Sequence, residues 1–256
     1  MVLGLQTASF ATEAVLFTVR FPDSTNHQAI VTGVYPTAGR KSIELMMPRW
    51  TPGYYRIENY ADQVLDLGAT GTDGLPLSVT WTQTNHWRIE TSKEPSVTVF
   101  YRLRCDGRSV TTDRVEKDYA VLNGGATFLA LVEKAPRPYR VRLELPPDWR
   151  QAVTALQPAP GGTSSELYAE NYDVLVDSPI LAGKLRVQTT VIAGVPHVLA
   201  AAGECDQWNL DEATGYLARL VKETHAFWGF LPFERYVMLE VFRPGGGGLE
   251  HKNSMR

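Results

Sequence analysis

Three scarcities bound what this chain can be. Cysteine occurs twice in 256 residues, at Cys105 and Cys205, with no other cysteine near either. A disulfide framework needs more of them and a thiolate metal site needs closer sets, so both read as ordinary small core or surface residues. An excess of charge of one sign is also lacking: the formal net charge is -3, and Lys and Arg are scattered. Without a basic field to gather phosphates, nucleic acid is not an expected partner. Long apolar runs are missing too, none approaching the roughly 20 residues that span a bilayer as a helix. The opening M-V-L-G-L-Q-T-A-S-F-A lacks a basic start, and its apolar centre is too short for a secretory signal. Small residues at Ala8–Ala11 leave a cleaved-leader remnant open. The compartment therefore stays undecided between cytoplasm and, with a lost signal, periplasm or secretion.

What is present is enough apolar surface to fold. Hydrophobic residues make up 44% and aromatics 10% of the chain, which excludes disorder as its main character. From Glu13 to about Arg104, short strand patterns alternate with turn residues. Val15, Phe17, Val19 and Phe21 keep the period of two of a half-buried strand. Ala29–Tyr35, Ser42–Met47, Tyr60–Ala69, His86–Glu90 and Ser96–Arg104 read similarly, as do Ala126–Val132 and Tyr139–Leu145. Many short strands with no long helical period predict a mainly β fold whose N-terminal part, residues 1–182, is a β-sandwich. Within it, P-R-W-T-P-G-Y-Y at Pro48–Tyr55 is the densest local feature. Two prolines and a glycine set a bend there. Trp50, Tyr54 and Tyr55 are read first as packing that plugs the end of the sandwich and second as a platform for a sugar or peptide. Trp81 and Trp87 are assigned to the core.

The composition breaks at Gln157–Ser165, Q-P-A-P-G-G-T-S-S, which reads as a surface loop. Strand alternation resumes at Lys184–Ile192 and, after a Gly194 turn, at Val195–Ala201. Then the period changes to that of a helix. Asn209 is placed to cap it with Glu212 three residues on, Leu210, Leu217, Val221 and Trp228 recur at helical spacing, and Gly229 and Pro232 end it. A strand at Tyr236–Phe242 leads into R-P-G-G-G-G-L-E-H, Arg243–His251. Residues 183–256 are thus expected to be a second, helix-and-strand portion. Taken alone, the glycine run reads as a flexible loop. Its alternative is a backbone edge bare enough for an extended peptide to lie alongside, with one acid, Glu250, at its end.

Four segments, in this order, resemble the N-terminal part of the glycyl aminopeptidase family of zinc metallopeptidases. They are M-P-R-W-T-P-G-Y-Y at Met47–Tyr55, Y-D-V-L-V-D-S-P-I at Tyr172–Ile180, L-P-F-E-R-Y at Leu231–Tyr236 and G-G-L-E-H at Gly247–His251. Members of that family join an N-terminal β-rich domain, a thermolysin-like catalytic domain and a PDZ domain. The resemblance implies that residues 183–256 begin the thermolysin-like α/β domain. It also implies that Gly247, Gly248 and Leu249 face the backbone of a peptide substrate and that Glu250 receives its free α-ammonium, with His251 orienting Glu250 or lining the pocket. Zinc is implied for a full-length family member.

The family's H-E-x-x-H helix, which holds that zinc, does not occur in this chain. Its histidines are His27, His86, His197, His225 and His251, and no two are three or four residues apart. No metal or cofactor is therefore assigned to these residues, no residue is assigned as catalytic, and the chain alone is expected to be inactive. An early stop leads to a further expectation. Leu217, Phe227 and Val237 would lack cover and the Tyr236–Phe242 strand would offer an unpaired edge, favouring self-association. The competing function is a non-catalytic module in which the aromatic corner or the Glu250 strand binds peptides or glycans.

Overall fold

The computed structural model describes residues 13–163 and 166–256; Ala8–Ala11 lie outside them. The fold is mainly β. A seven-stranded sheet runs in the order Gln157–Pro158, Glu166–Ala169, Tyr139–Glu144, Val15–Arg20, Gln28–Pro36, Ser96–Arg104, Val64–Thr70. All of its pairings are antiparallel except Val15–Arg20 with Tyr139–Glu144. Its buried residues, among them Phe17, Val31, Val99 and Leu103, share one core with Ile43, Leu45, Trp87 and Ile89. The last four belong to a second sheet of Ala130–Leu131, Ser42–Met46, His86–Glu90 and Val79–Gln83. Burying alternate side chains from two sheets against each other is what makes this a sandwich.

A third sheet, Gln151–Thr154, Ile180–Gly183, Tyr119–Leu122 and Arg114–Val115, connects the sandwich to the C-terminal strands and helix. One of its faces adds Leu122 and Ile180 to the sandwich core. The other packs Val121 and Leu181 against Val237 and Leu239. Those two belong to a fourth sheet, ordered Arg186–Ile192, Val195–Gly203, Tyr236–Phe242, Ser254–Met255. The helix Leu210–Trp228 lies against this sheet through Leu217 and Val221, which contact Ile192.

The helix begins and ends where its residues dictate. Asn209 Oδ1 accepts the Glu212 N–H at 3.1 Å, and Gly229 closes the helix in the left-handed conformation at φ 80°. Asn209→Ala is expected to cost about 1 kcal/mol, seen as a lower urea midpoint at unchanged slope.

Several expectations are corrected. Leu217 and Val237 are buried rather than uncovered, although Phe227 is 78% exposed. The edge of the Tyr236–Phe242 strand is covered at its start, where Val237 and Met238 register with Ser254 and Met255, and no strand pairs with that edge beyond Met238 among the described residues. Trp81 is not core: it sits 63% exposed on the edge strand Val79–Gln83, stacked on buried Trp87 at 5.9 Å between ring centroids. Ala126–Val132 is not one strand. Asn123 O accepts from both Ala126 N–H and Thr127 N–H, which starts the short helix Gly124–Thr127, and only Ala130–Leu131 is extended. Tyr60–Ala69 divides likewise into a 3-10 turn, Tyr60–Gln63, and the strand Val64–Thr70.

Candidate functional site

Glycines Gly245–Gly248 carry the chain from the end of Tyr236–Phe242 back to a strand parallel with its start. Gly245 and Gly247 take φ 103° and 140°, a region that side chains disfavour. A Cβ on Gly247 would lie 2.9 Å from Val110 Cγ1, so the loop is also pressed against the third-sheet side of the molecule. Beyond the loop the chain makes a tight hairpin. Leu249 and Arg256 exchange both backbone hydrogen bonds, at 2.8 and 3.0 Å, and His251 N–H donates to Ser254 O at 2.8 Å. Lys252 and Asn253 form its turn.

Between these bonded positions Glu250 stands opposite Met255. In an antiparallel ladder such a non-hydrogen-bonded residue points its own N–H and C=O to the outer side. The Glu250 carboxylate is exposed and takes no hydrogen bond or ion pair among the described residues. Its charge is nonetheless felt by Tyr236, whose hydroxyl is pushed up first by burial and then by Glu250.

The hairpin is fastened to the N-terminal sandwich at three points. The first is the proline-glycine corner: Gly53 turns at φ 82°, and a Cβ there would lie 2.8 Å from Glu250 O and 3.0 Å from Leu249 Cδ1. The second is Asp177, at the end of the short helix Tyr172–Val176. Its Oδ1 lies 2.9 Å from His251 Nδ1, and its Oδ2 accepts the Lys252 N–H at 3.0 Å. The His251 side chain is only 2% exposed, and its Nε2 is buried with no partner among the described residues.

The third is Arg256, whose Nη1 donates to Val110 O at 2.6 Å and to Asn123 Oδ1 at 3.1 Å. Beside it lies Asp113, which accepts from Asn123 N–H at 2.7 Å and from the Thr127 hydroxyl at 2.9 Å.

Asp113 is buried, and burial raises its carboxyl from 3.8 to about 7, against the lowering by Asn123, Thr127 and Arg256. A carboxyl whose folded value lies above its unfolded value favours the fold in its protonated form. Its contribution is therefore full below pH 3.8 and falls as pH rises toward about 7. The expected result is a melting temperature with a falling component across that window in the wild type and a flatter profile in Asp113→Asn.

The four segments that carried the sequence resemblance thus meet around one hairpin. The Gly53 corner, Asp177 and Gly247–His251 touch directly. The fourth contributes Phe233 and Tyr236, whose rings pack on His197 at 5.8 and 6.3 Å between centroids. These rings line an apolar groove of about 410 Å³ that also includes Met255, the residue paired with Glu250.

The aromatic corner does not plug the sandwich: Trp50 is 47% and Tyr55 92% exposed. Sequence reasoning does not reach Asp113 and Asn123, although the N-G-G turn signal at Asn123–Gly125 marks that segment. Asp177 lies inside one of the four segments, but its neighbours in sequence point to no role for it.

The residues here do not fit a metal. No group of three His, Cys, Asp or Glu side chains gathers among the described residues. His27 Nδ1 faces Val115 O, His197 Nδ1 faces Val195 O and His251 is taken by Asp177.

Comparison with known proteins gives a consistent picture. No curated protein matches the sequence. The aminopeptidase N family protein from Idiomarina loihiensis is 27% identical, with a TM-score of 0.86 over 94% of this chain and 41% of its own. The M1 zinc metallopeptidase from Deinococcus radiodurans shares the fold at 14% identity, with a TM-score of 0.55 over 96% of this chain and 59% of its own. A variant of that protein bound to a Tyr-Ser-Ala substrate superimposes similarly, at 14% identity and a TM-score of 0.54, over 96% of this chain and 60% of its own. The chain therefore spans less than two thirds of the length of each of these structures. The Peptidase M61 N-terminal domain matches residues 16–184, and by that match the chain belongs to the Peptidase M61 family.

Proposed function

We propose that this chain is the substrate-recognising N-terminal portion of a zinc-dependent aminopeptidase of the glycyl aminopeptidase type. In this reading Glu250 receives the free α-ammonium of a peptide. Gly247, Gly248 and Leu249 line the path of its backbone, and His251 holds the hairpin that presents Glu250. The hairpin belongs to the portion 183–256 and its support to the portion 1–182.

The observation that carries the reading is an exposed carboxylate, without a partner among the described residues, on a hairpin held at three points. An ammonium–carboxylate hydrogen bond is among the stronger polar contacts. Because the hairpin backbone that carries the acid is held before the ligand arrives, only the Glu250 side chain remains to be ordered on binding. Leu249 is buried and spends both of its backbone groups on Arg256, and the Glu250 carbonyl faces the Gly53 corner, so a peptide would meet the backbone groups of Gly247 and Gly248.

Zinc and the hydrolytic step are assigned to the whole family member, because the residues described here do not assemble a ligand set. Alone, this chain is proposed to bind without hydrolysing. The exposure of Trp50 and Tyr55 supports a second reading, an aromatic platform for peptide or glycan.

Calorimetry with triglycine and N-acetyl-triglycine separates the two readings. An ammonium anchor requires binding of the free amine and its loss on acetylation. Equal affinity for both peptides overturns the anchor and favours the platform.

A further inference from the structure

We propose that Asp177 is a positioning residue for the substrate-binding hairpin. It acts through His251 and Lys252 to set where Glu250 stands. The inference rests on the reading of Glu250 as the ammonium anchor and goes beyond it by naming what holds the anchor.

One carboxylate spans the hairpin turn with both of its oxygens. Oδ1 meets His251 Nδ1 at 2.9 Å and Oδ2 accepts the Lys252 N–H at 3.0 Å. These contacts fall on the two residues immediately after Glu250. Rotation or lift of the turn would carry the Glu250 side chain with it.

The carboxylate is itself fixed from behind. Asp177 caps the C-terminal end of Tyr172–Val176, and its own N–H donates to Asp173 O at 3.0 Å. That helix is capped at its other end by Asn171 Oδ1, which accepts the Val174 N–H at 2.9 Å. It also packs so closely on Gly124 that a Cβ there would lie 2.5 Å from Leu175 O. A rigid short helix in the N-terminal portion therefore ends in a clamp on the recognition hairpin. The arrangement matches the requirement that a binding group be held within a fraction of an ångström by neighbours with their own partners.

The clamp also determines the state of the His251 ring. With Nδ1 donating to Asp177, the neutral ring keeps its lone pair on Nε2. That atom is buried and without a partner among the described residues.

The experiment uses Asp177→Asn, His251→Gln, Glu250→Gln and the double variant Asp177→Asn/Glu250→Gln, each titrated with triglycine and followed by nitrogen-15 NMR. Asparagine keeps the shape but cannot accept both hydrogen bonds. His251→Gln leaves the Lys252 contact in place, so a folded reporter of the clamp remains if Asp177→Asn unfolds.

Triglycine affinity is expected to fall roughly tenfold in Asp177→Asn, because a displaced Glu250 loses its charge-assisted hydrogen bond to the ligand's ammonium in whole or in part. Protection of the Lys252 amide from hydrogen exchange is expected to fall with it. The wild-type His251 ring is expected to carry its proton on Nδ1. In the Glu250→Gln background, Asp177→Asn should weaken binding no further, because a positioning residue has nothing left to position.

Wild-type affinity in a folded Asp177→Asn or His251→Gln, with Glu250→Gln weakened, overturns the clamp and leaves the anchor standing. The same holds for full additivity in the double variant. Wild-type affinity in Glu250→Gln overturns the anchor itself and the clamp's role with it.

Discussion

Glutamine in place of Glu250 is expected to weaken triglycine binding about 10- to 150-fold, the equivalent of ~1.5–3 kcal/mol for a hydrogen bond to a charged group. Folding stability should stay within about 0.5 kcal/mol of the wild type, as for other surface substitutions. The two halves of this result have separate causes. Glu250 is exposed, and its carboxylate takes no partner among the described residues, so its loss breaks nothing inside the molecule. The same substitution removes a negative charge near Tyr236. The Tyr236 hydroxyl, raised first by burial and second by Glu250, should then titrate at lower pH than in the wild type. Ultraviolet titration of the phenols checks this independently of any ligand.

Gly53→Ala is expected to do the reverse, impairing both fold and binding. The position requires φ 82°, where a Cβ costs ~1–2 kcal/mol of backbone strain. That Cβ would also lie 2.8 Å from Glu250 O, a backbone atom that cannot swing aside as a side chain does. Either the proline-glycine corner or the anchor hairpin must move. A stability loss of about 1–3 kcal/mol and the disappearance of any difference between triglycine and its acetylated form are the expected results. Urea unfolding and calorimetry read the two effects separately. Ala in place of Gly39, which has φ 68° and open space around it, should show the strain without the loss of binding.

Regular elements are legible wherever a single period runs without competition. The helix Leu210–Trp228 can be bounded to the residue because Asn209, the helical spacing and Gly229 all agree. His86–Glu90 and Ser96–Arg104 are bounded as well, because one face of each strand is buried and alternation results. Val79–Gln83 escapes notice although Val79 and Trp81 alternate with Thr80 and Thr82: it is a short edge strand whose side chains are mostly open, so the pattern does not mark a buried face.

Ala126–Val132 misleads because it is apolar but for Thr127 and buried as far as Leu131, so neither helix nor strand period shows. Local hydrogen bonds to Asn123 O decide it. Aromatics mislead in a third way. A large ring reads as core by default, yet Trp50, Tyr55 and Trp81 are exposed.

For the site, the anchor segment itself is legible and its support is not. Gly247–His251 can be singled out because four glycines next to one acid are unusual chemistry for a strand's end. Gly53, Asp113, Asn123 and Asp177 reach the hairpin only through the order of strands in the sheets. Nothing local in the residues around Asp177 tells that its two oxygens will meet His251 and Lys252. Asp113, a carboxyl buried in an otherwise ordinary T-T-D-R stretch, gives no signal at all before the fold is known.

The most direct test of the account is a nitrogen-15 NMR titration of the intact chain with triglycine and N-acetyl-triglycine. Triglycine is expected to shift the amides of Gly247 to Lys252, and the acetylated peptide to leave them in place. Shifts that centre on Trp50, Tyr54 and Tyr55 and are the same for both peptides would contradict the ammonium anchor.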